Sequence, residues 1–186
     1  MTEDNRGLIE TTLSSETVFE GRVFDTIVKR VRLPDGREAG REIVLHNGGA
    51  CILPVDSDLN CYMVRQFRSP FERILLEAPA GKLEKGEDPR ECAIRELLEE
   101  TGFVADKVID LGRMIASPGY DSEVISLYMA RGLSYKGEKP DEGEFLKCEK
   151  IPLRDLTEMV DKGLIEDAKT ALCILKAVRR LELGGI

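Results

Sequence analysis

One helix is written into this chain more firmly than any other element, and it interrupts a run of strands. Asp88 is a good N-cap, Pro89 suits the first helical position, Glu91 completes a capping box, and Gly102 supplies the C-terminal stop. Before it, "TVFEGRVFDTIVKRVRL" alternates apolar and polar residues as half-buried strands do, and Pro34-Asp35-Gly36 marks a turn inside "LPDGREAGREIVL". "GGACILPVDSDLNCYMVRQF" reads as a hairpin around Asp56-Ser57-Asp58, and "RILLEAPAG" as a short strand. After it come strand patterns at about 108–115, 123–130 and 144–150, then helices near 153–162 and 167–183. Residues 1–15 read as a loose or helical lead-in. Strands joined by short turns, with helices in the middle and at the end, predict an α+β fold. A mixed sheet packed by helices fits better than a doubly wound parallel sheet. Residues 1–45 are expected to form a separate N-terminal antiparallel sheet, and residues 46–186 the main domain.

The helix also breaks a local rule. Glu96, Glu99 and Glu100 share one face, three and four residues apart. Like charges at that spacing cost about 0.2–0.5 kcal/mol per pair. Carboxylates in the last turns also oppose the helix dipole, at about 0.3–1 kcal/mol each. Arg95 is expected to relieve part of this through Glu91 and Glu99. Such acids also suit a solvated helix face. A further acid, Glu87, in the glycine turn that leads into the helix favours a divalent-cation site.

The spacing of these residues resembles the complete Nudix box. Gly81, five residues, Glu87, seven residues, Arg95-Glu96-Leu97, one residue, Glu99-Glu100, one residue, Gly102-Phe103 match all nine specified positions over 23 residues. The resemblance implies the Nudix fold, with its sheet sandwiched between helices (α/β/α), and hydrolysis of a nucleoside diphosphate linked to another group. It implies Mg2+, with Mn2+ as an alternative, held by Glu96 and Glu100, with Glu99 joining an additional metal and the Ala80 carbonyl as a further ligand. Glu87 and Arg95 would brace the loop, and Gly81 would permit its turn.

Other stretches resemble the ADP-ribose pyrophosphatases of that family. Pro118 in "SPGYDSE" lies sixteen residues after Gly102, as the subfamily marker does. "MVRQFRSPFERILLEAPAGKLEKGE" resembles the segment before the box, where Arg68 matches an arginine that reaches the phosphates. Glu77 would help hold the substrate or a neighbouring loop. In "KPDEGEFLKCEK", Glu144 is the first choice and Glu142 the second for a loop glutamate that deprotonates the attacking water. Glu99 also joins the catalytic set. Residues 17–50 resemble the swapped N-terminal sheet of these dimers, which implies a homodimer and makes Arg41 a substrate-binding candidate. The chain departs from some relatives in having no tryptophan to stack on adenine; Phe19, Phe24 or an arginine would stand in. The resemblance implies ADP-ribose as substrate. Hydrolysis of GDP-mannose or ADP-glucose, and a non-catalytic nucleotide-sensing module, are the alternatives.

Composition bounds the rest. A length of 186 residues suits one domain with a small appendage. A net charge of -8 argues against a nucleic-acid surface, although a bound metal can reverse the sign of one site. Five scattered cysteines without a C-x-x-C point to reduced thiols in a cytoplasm. Cys92 reads as a small apolar residue and His46 as a structural one. No apolar run approaches the roughly 20 residues of a membrane span, and the acidic start "MTEDNRGLIETT" is unlike a signal peptide.

Overall fold

The computed structural model describes residues 3–137 and 145–184. The chain divides into two compact units, Met1–Asn47 with Ile115–Glu123, and Gly48–Met114 with Val124–Ile186.

The first unit is an antiparallel sheet of β1 (Thr11–Glu20), β2 (Phe24–Arg32) and β3 (Glu38–His46), in that order. The turn between β2 and β3 is fixed by Asp35, whose carboxylate accepts the Arg37 N–H at 3.0 Å, and by Gly36 at φ +88°. The Ile115–Glu123 stretch joins this unit through β3, where the Val44 N–H donates to the Tyr120 carbonyl at 2.8 Å. The lead-in is shorter than expected. A 3-10 helix covers Glu3–Leu8, and β1 already begins at Thr11, paired with Arg32. Thr11, Thr12, Thr17 and Val18 are β-branched and suit an extended chain.

The second unit holds two sheets. One has the order β7 (Ala80–Lys82), β4 (Gly49–Pro54), β9 (Val124–Tyr135), β8 (Phe103–Ile115); the other has the order β10 (Leu146–Pro152), β5 (Asn60–Arg68), β6 (Arg73–Glu77). Its helices are α1 (Pro89–Thr101), α2 (Leu153–Asp161) and α3 (Ala168–Glu182). The β4–β9 pairing is parallel and the β4–β7 pairing antiparallel, so the first of these sheets is mixed.

Every residue of β4 is buried, which places it between two layers. Its side chains alternate: Ala50 and Ile52 pack with Cys92, Ala93 and Leu97 of α1, while Cys51 and Leu53 pack with Cys173, Ile174 and Ala177 of α3. The sheet thus lies between helices, as the α/β/α expectation requires. The expected hairpin across Asp56-Ser57-Asp58 does not form. Its two arms, β4 and β5, go to different sheets and share one isolated bridge, Val55 with Cys61. A strand apolar on both faces is better buried centrally beside β9 than paired with its sequence neighbour. β8 begins at Phe103 rather than near 108, because the Phe103 ring is held by Tyr62 at 4.2 Å and Tyr135 at 5.3 Å between centroids.

Candidate active site

The helix α1 begins at its expected N-cap, Asp88, and ends at its expected stop, Gly102. The Asp88 carboxylate accepts the N–H groups of Arg90 and Glu91, at 2.9 and 3.4 Å, and Gly102 at φ +72° donates its N–H to the Leu98 carbonyl. These caps fix the face that carries the acids.

The crowding of acids is resolved by Arg95. Its Nη1 donates to Glu96 at 2.7 Å and to Glu99 at 2.9 Å, and its Nε donates to Glu87 at 3.0 Å. The Glu87 partnership holds the guanidinium pKa well above its ordinary value. In return, Arg95 holds the Glu87 carboxyl below the usual range. Glu87 is itself fixed by the Glu84 N–H at 2.9 Å, so the turn presents a ready acceptor. The expected partnership of Arg95 with Glu91 is replaced by this one. Glu91 is exposed and lies 3.9 Å from Arg90.

Two further contacts bind the acids to the glycine turn. The Glu96 carboxylate lies so close to Gly81 that a Cβ there would sit 1.7 Å from its Oε1. Glu100 Oε2 accepts the Ala80 N–H at 3.0 Å. Glu96 and Glu100 are both buried. Cys92 lies beneath this turn, 3.5 Å from the Lys82 carbonyl, and burial pushes its thiol up to about 12. Its burial fits the reading of Cys92 as a small apolar residue.

These residues suit a divalent cation. Three carboxylates and the Ala80 peptide offer hard oxygen donors around a cradle that any side chain at position 81 would fill. Among the described residues, no three acidic, histidine or cysteine side chains converge closely enough to hold an ion as they stand. The Arg95 guanidinium bridges Glu96 and Glu99 in this arrangement.

A second network adjoins the first. Arg68, at the end of β5, grips Glu77, at the end of β6, with Nε to Oε1 at 2.6 Å and Nη2 to Oε2 at 2.8 Å. Lys169 Nζ donates to the same Oε2 and, at 2.8 Å, to Asp167. Burial would raise the Glu77 carboxyl, but Arg68 and Lys169 outweigh it and hold the group at about 2. Glu77 raises the Arg68 pKa, and the charge of Glu100 adds to the effect. Asp167 caps α3 by accepting the Thr170 N–H at 3.1 Å, and the Thr170 hydroxyl accepts the Ala78 N–H at 2.9 Å.

Arg68, Glu77, Ala80, Glu96, Glu99 and Glu100 therefore lie in one unit. Arg41 and Pro118 belong to the other. Arg41 is paired with Glu10, and Pro118 sits exposed in the turn where the Asp121 N–H donates to the Ser117 carbonyl at 2.9 Å. Phe19 and Phe24 form a ring pair 5.8 Å apart in that same unit. Glu142 and Glu144 lie outside the described residues. Sequence reasoning missed Lys169 and Thr170. The expected start of a helix near 167 was the signal beside them.

The NUDIX domain profile matches residues 45–171. An ADP-ribose pyrophosphatase of Bacillus subtilis strain 168 is 42% identical over 171 residues, which cover 91% of this chain and 92% of that protein. A methanol dehydrogenase activator of Bacillus methanolicus is 40% identical over 167 residues, covering 89% of this chain and 90% of its own. The crystal structure of an ADP compounds hydrolase superposes with a TM-score of 0.83, covering 95% of this chain and 96% of its own at 24% identity, a likeness of fold.

Proposed function

This chain belongs to the Nudix hydrolase family, and we propose that it hydrolyses the diphosphate of ADP-ribose, with Mg2+, to AMP and ribose 5-phosphate. The observation that carries the reading is the closure of Glu96 and Glu100 on the Ala80–Gly81 turn, with Glu99 tied to it through Arg95. The relative named as an ADP-ribose pyrophosphatase, similar over nearly its whole length, supports the choice of substrate.

Glu96, Glu99, Glu100 and the Ala80 carbonyl would hold Mg2+, or Mn2+ in its place. When bound, the metal neutralises diphosphate charge and lowers the pKa of a coordinated water. Glu87 and Arg95 brace the turn that follows the Ala80 donor. Arg68 spends Nε and Nη2 on Glu77, and its Nη1 edge is the one offered to the diphosphate. Glu144, or Glu142 as second choice, takes the proton of the attacking water, on the strength of the resemblance alone. Glu99 stands in the catalytic set as well as the metal set.

The N-terminal sheet of residues 1–45 is proposed as an element swapped between the halves of a homodimer, with Arg41 and Pro118 contributing to substrate binding. Its exposed Leu13, Val18, Phe19, Phe24 and Val28 support a covered surface. Sedimentation velocity checks this, and a fully active monomer would refute it. Among the described residues no helix is long and apolar enough to cross a membrane, and a cytoplasmic site of action is proposed.

The test is a phosphate-release panel with a coupled phosphatase, with and without Mg2+, over ADP-ribose, ADP-glucose, GDP-mannose and nucleoside triphosphates. Metal-dependent preference for ADP-ribose, with AMP as product, is expected. Preference for another nucleoside diphosphate sugar overturns the substrate. Binding without turnover of any compound favours a nucleotide sensor.

A further inference from the structure

We propose that Lys169 is a positioning residue that acts on the substrate through Glu77 and Arg68. The inference rests on the reading of this site as one that binds a nucleoside diphosphate.

Lys169 stands where helix physics disfavours it. It is in the first turn of α3, at the positive end of the helix dipole, and its side chain is only 14% exposed. Surface lysines keep their ammonium in water. This one gives up most of its hydration to sit between Glu77 and Asp167. A cation in that place needs a reason beyond helix propensity.

The reason lies in the charge left on Arg68. A bidentate carboxylate neutralises a guanidinium, so Arg68 paired with Glu77 alone would present little net charge to an anionic substrate. Lys169 bonds the very Glu77 oxygen that accepts from Arg68 Nη2. It therefore shares the Glu77 charge and leaves more of the Arg68 field for phosphate. Asp167 does not cancel this contribution fully, because its carboxylate also caps α3 through Thr170. The charges alternate along Arg68, Glu77, Lys169 and Asp167, and removing Lys169 leaves that row net negative beside the site for a dianionic diphosphate. Geometry adds to charge. With both Glu77 oxygens pinned, the guanidinium plane is pinned too, which fixes the Nη1 edge.

The test compares Lys169→Met, which keeps the length and removes the charge, with Lys169→Arg, each alone and in an Arg68→Ala background. Steady-state kinetics on ADP-ribose with Mg2+ and calorimetric binding of a non-hydrolysable methylene analogue are both measured. Lys169→Met is expected to raise KM and the analogue Kd about tenfold, the size of a lost charge-assisted contact, with kcat within about threefold. Lys169→Arg should restore both to within about threefold, and in the Arg68→Ala background Lys169→Met should add less than about twofold. If Lys169→Met does not fold, Lys169→Gln retains a donor to Glu77 without the charge and should show the same rise in KM. An active wild type with KM unchanged in the Met or Gln variant overturns the proposal. So does a tenfold effect that persists without Arg68. A wild type that neither binds nor turns over any nucleoside diphosphate sugar overturns the diphosphate reading, and this proposal with it.

Discussion

Gly81→Ala should separate activity from stability. The new Cβ would lie 1.7 Å from Glu96 Oε1 and 2.1 Å from its Cδ, so the carboxylate must retreat by more than about 1 Å to clear even 3.0 Å. It is the flexible end of a side chain that yields, not the backbone. Gly81 is also outside the left-handed region, so alanine is allowed there. An off-rotamer Glu96 costs about 0.5–1.5 kcal/mol. The lower entropy of the unfolded alanine chain returns about 0.4–1 kcal/mol. The melting temperature should therefore move by no more than about 2–4 °C. Activity should fall far more, because a displacement of about 1 Å in a catalytic group costs roughly 10²-fold. The assay is Mg2+-dependent AMP release from ADP-ribose, beside a calorimetric melt. A variant with near-normal kcat would refute the role given to the Glu96–Gly81 contact. So would one that unfolds at room temperature, since the strain would then lie in the backbone.

Glu96→Gln and Glu100→Gln should each lower kcat by at least about 10²-fold while the circular dichroism spectrum is kept; near-normal turnover would sink the metal-site assignment. Glu77 is held at about 2 in the folded state against an ordinary 4.5, so its stabilisation is complete above about pH 4.5 and is lost as pH falls towards 2. Urea unfolding at pH 7 and pH 3 should show Glu77→Gln destabilised by on the order of 3 kcal/mol at the higher pH and by clearly less at the lower. Equal losses at both would refute the ion-pair account. Ile52→Ala removes a fully buried side chain facing α1 and should cost about 2–5 kcal/mol in denaturant unfolding, with KM unchanged in what remains folded.

What could be read from the sequence was whatever is local. The caps of α1 are local, since the Asp88 carboxylate bonds backbone N–H groups within three residues and Gly102 takes up the left-handed stop, so these two residues announced both ends. Glu96, Glu99 and Glu100 share a helix face by helical spacing alone. Pairing between distant segments is another matter. Nothing within the stretch from Gly49 to Arg68 says that β4 will run parallel to β9, more than seventy residues later, rather than turn back on β5. Of the two helical partners expected for Arg95, Glu99 holds at 2.9 Å, while Glu91 is replaced by Glu87, which returns from the turn. Lys169 was invisible, since a lysine in a first turn is ordinarily solvated and only the approach of Glu77 from β6 buries it.

The short link from Ala78 to Ala80 shows why both helices matter to one site. Its three residues are each held by a different element: the Ala78 N–H by Thr170 of α3, the Pro79 carbonyl by the Ile52 N–H of β4, and the Ala80 N–H by Glu100 of α1. A backbone carbonyl cannot be aimed by its own side chain. It is aimed by fixing the peptides on either side, and here the fixing comes from three directions. The acids come from α1 and the cation behind Arg68 from α3. β4 packs one face on each helix, and this burial holds them in register. The Ala80 carbonyl and the Arg68 guanidinium are thus placed by a single rigid core, so the geometry of the site and the stability of the fold rest on the same contacts.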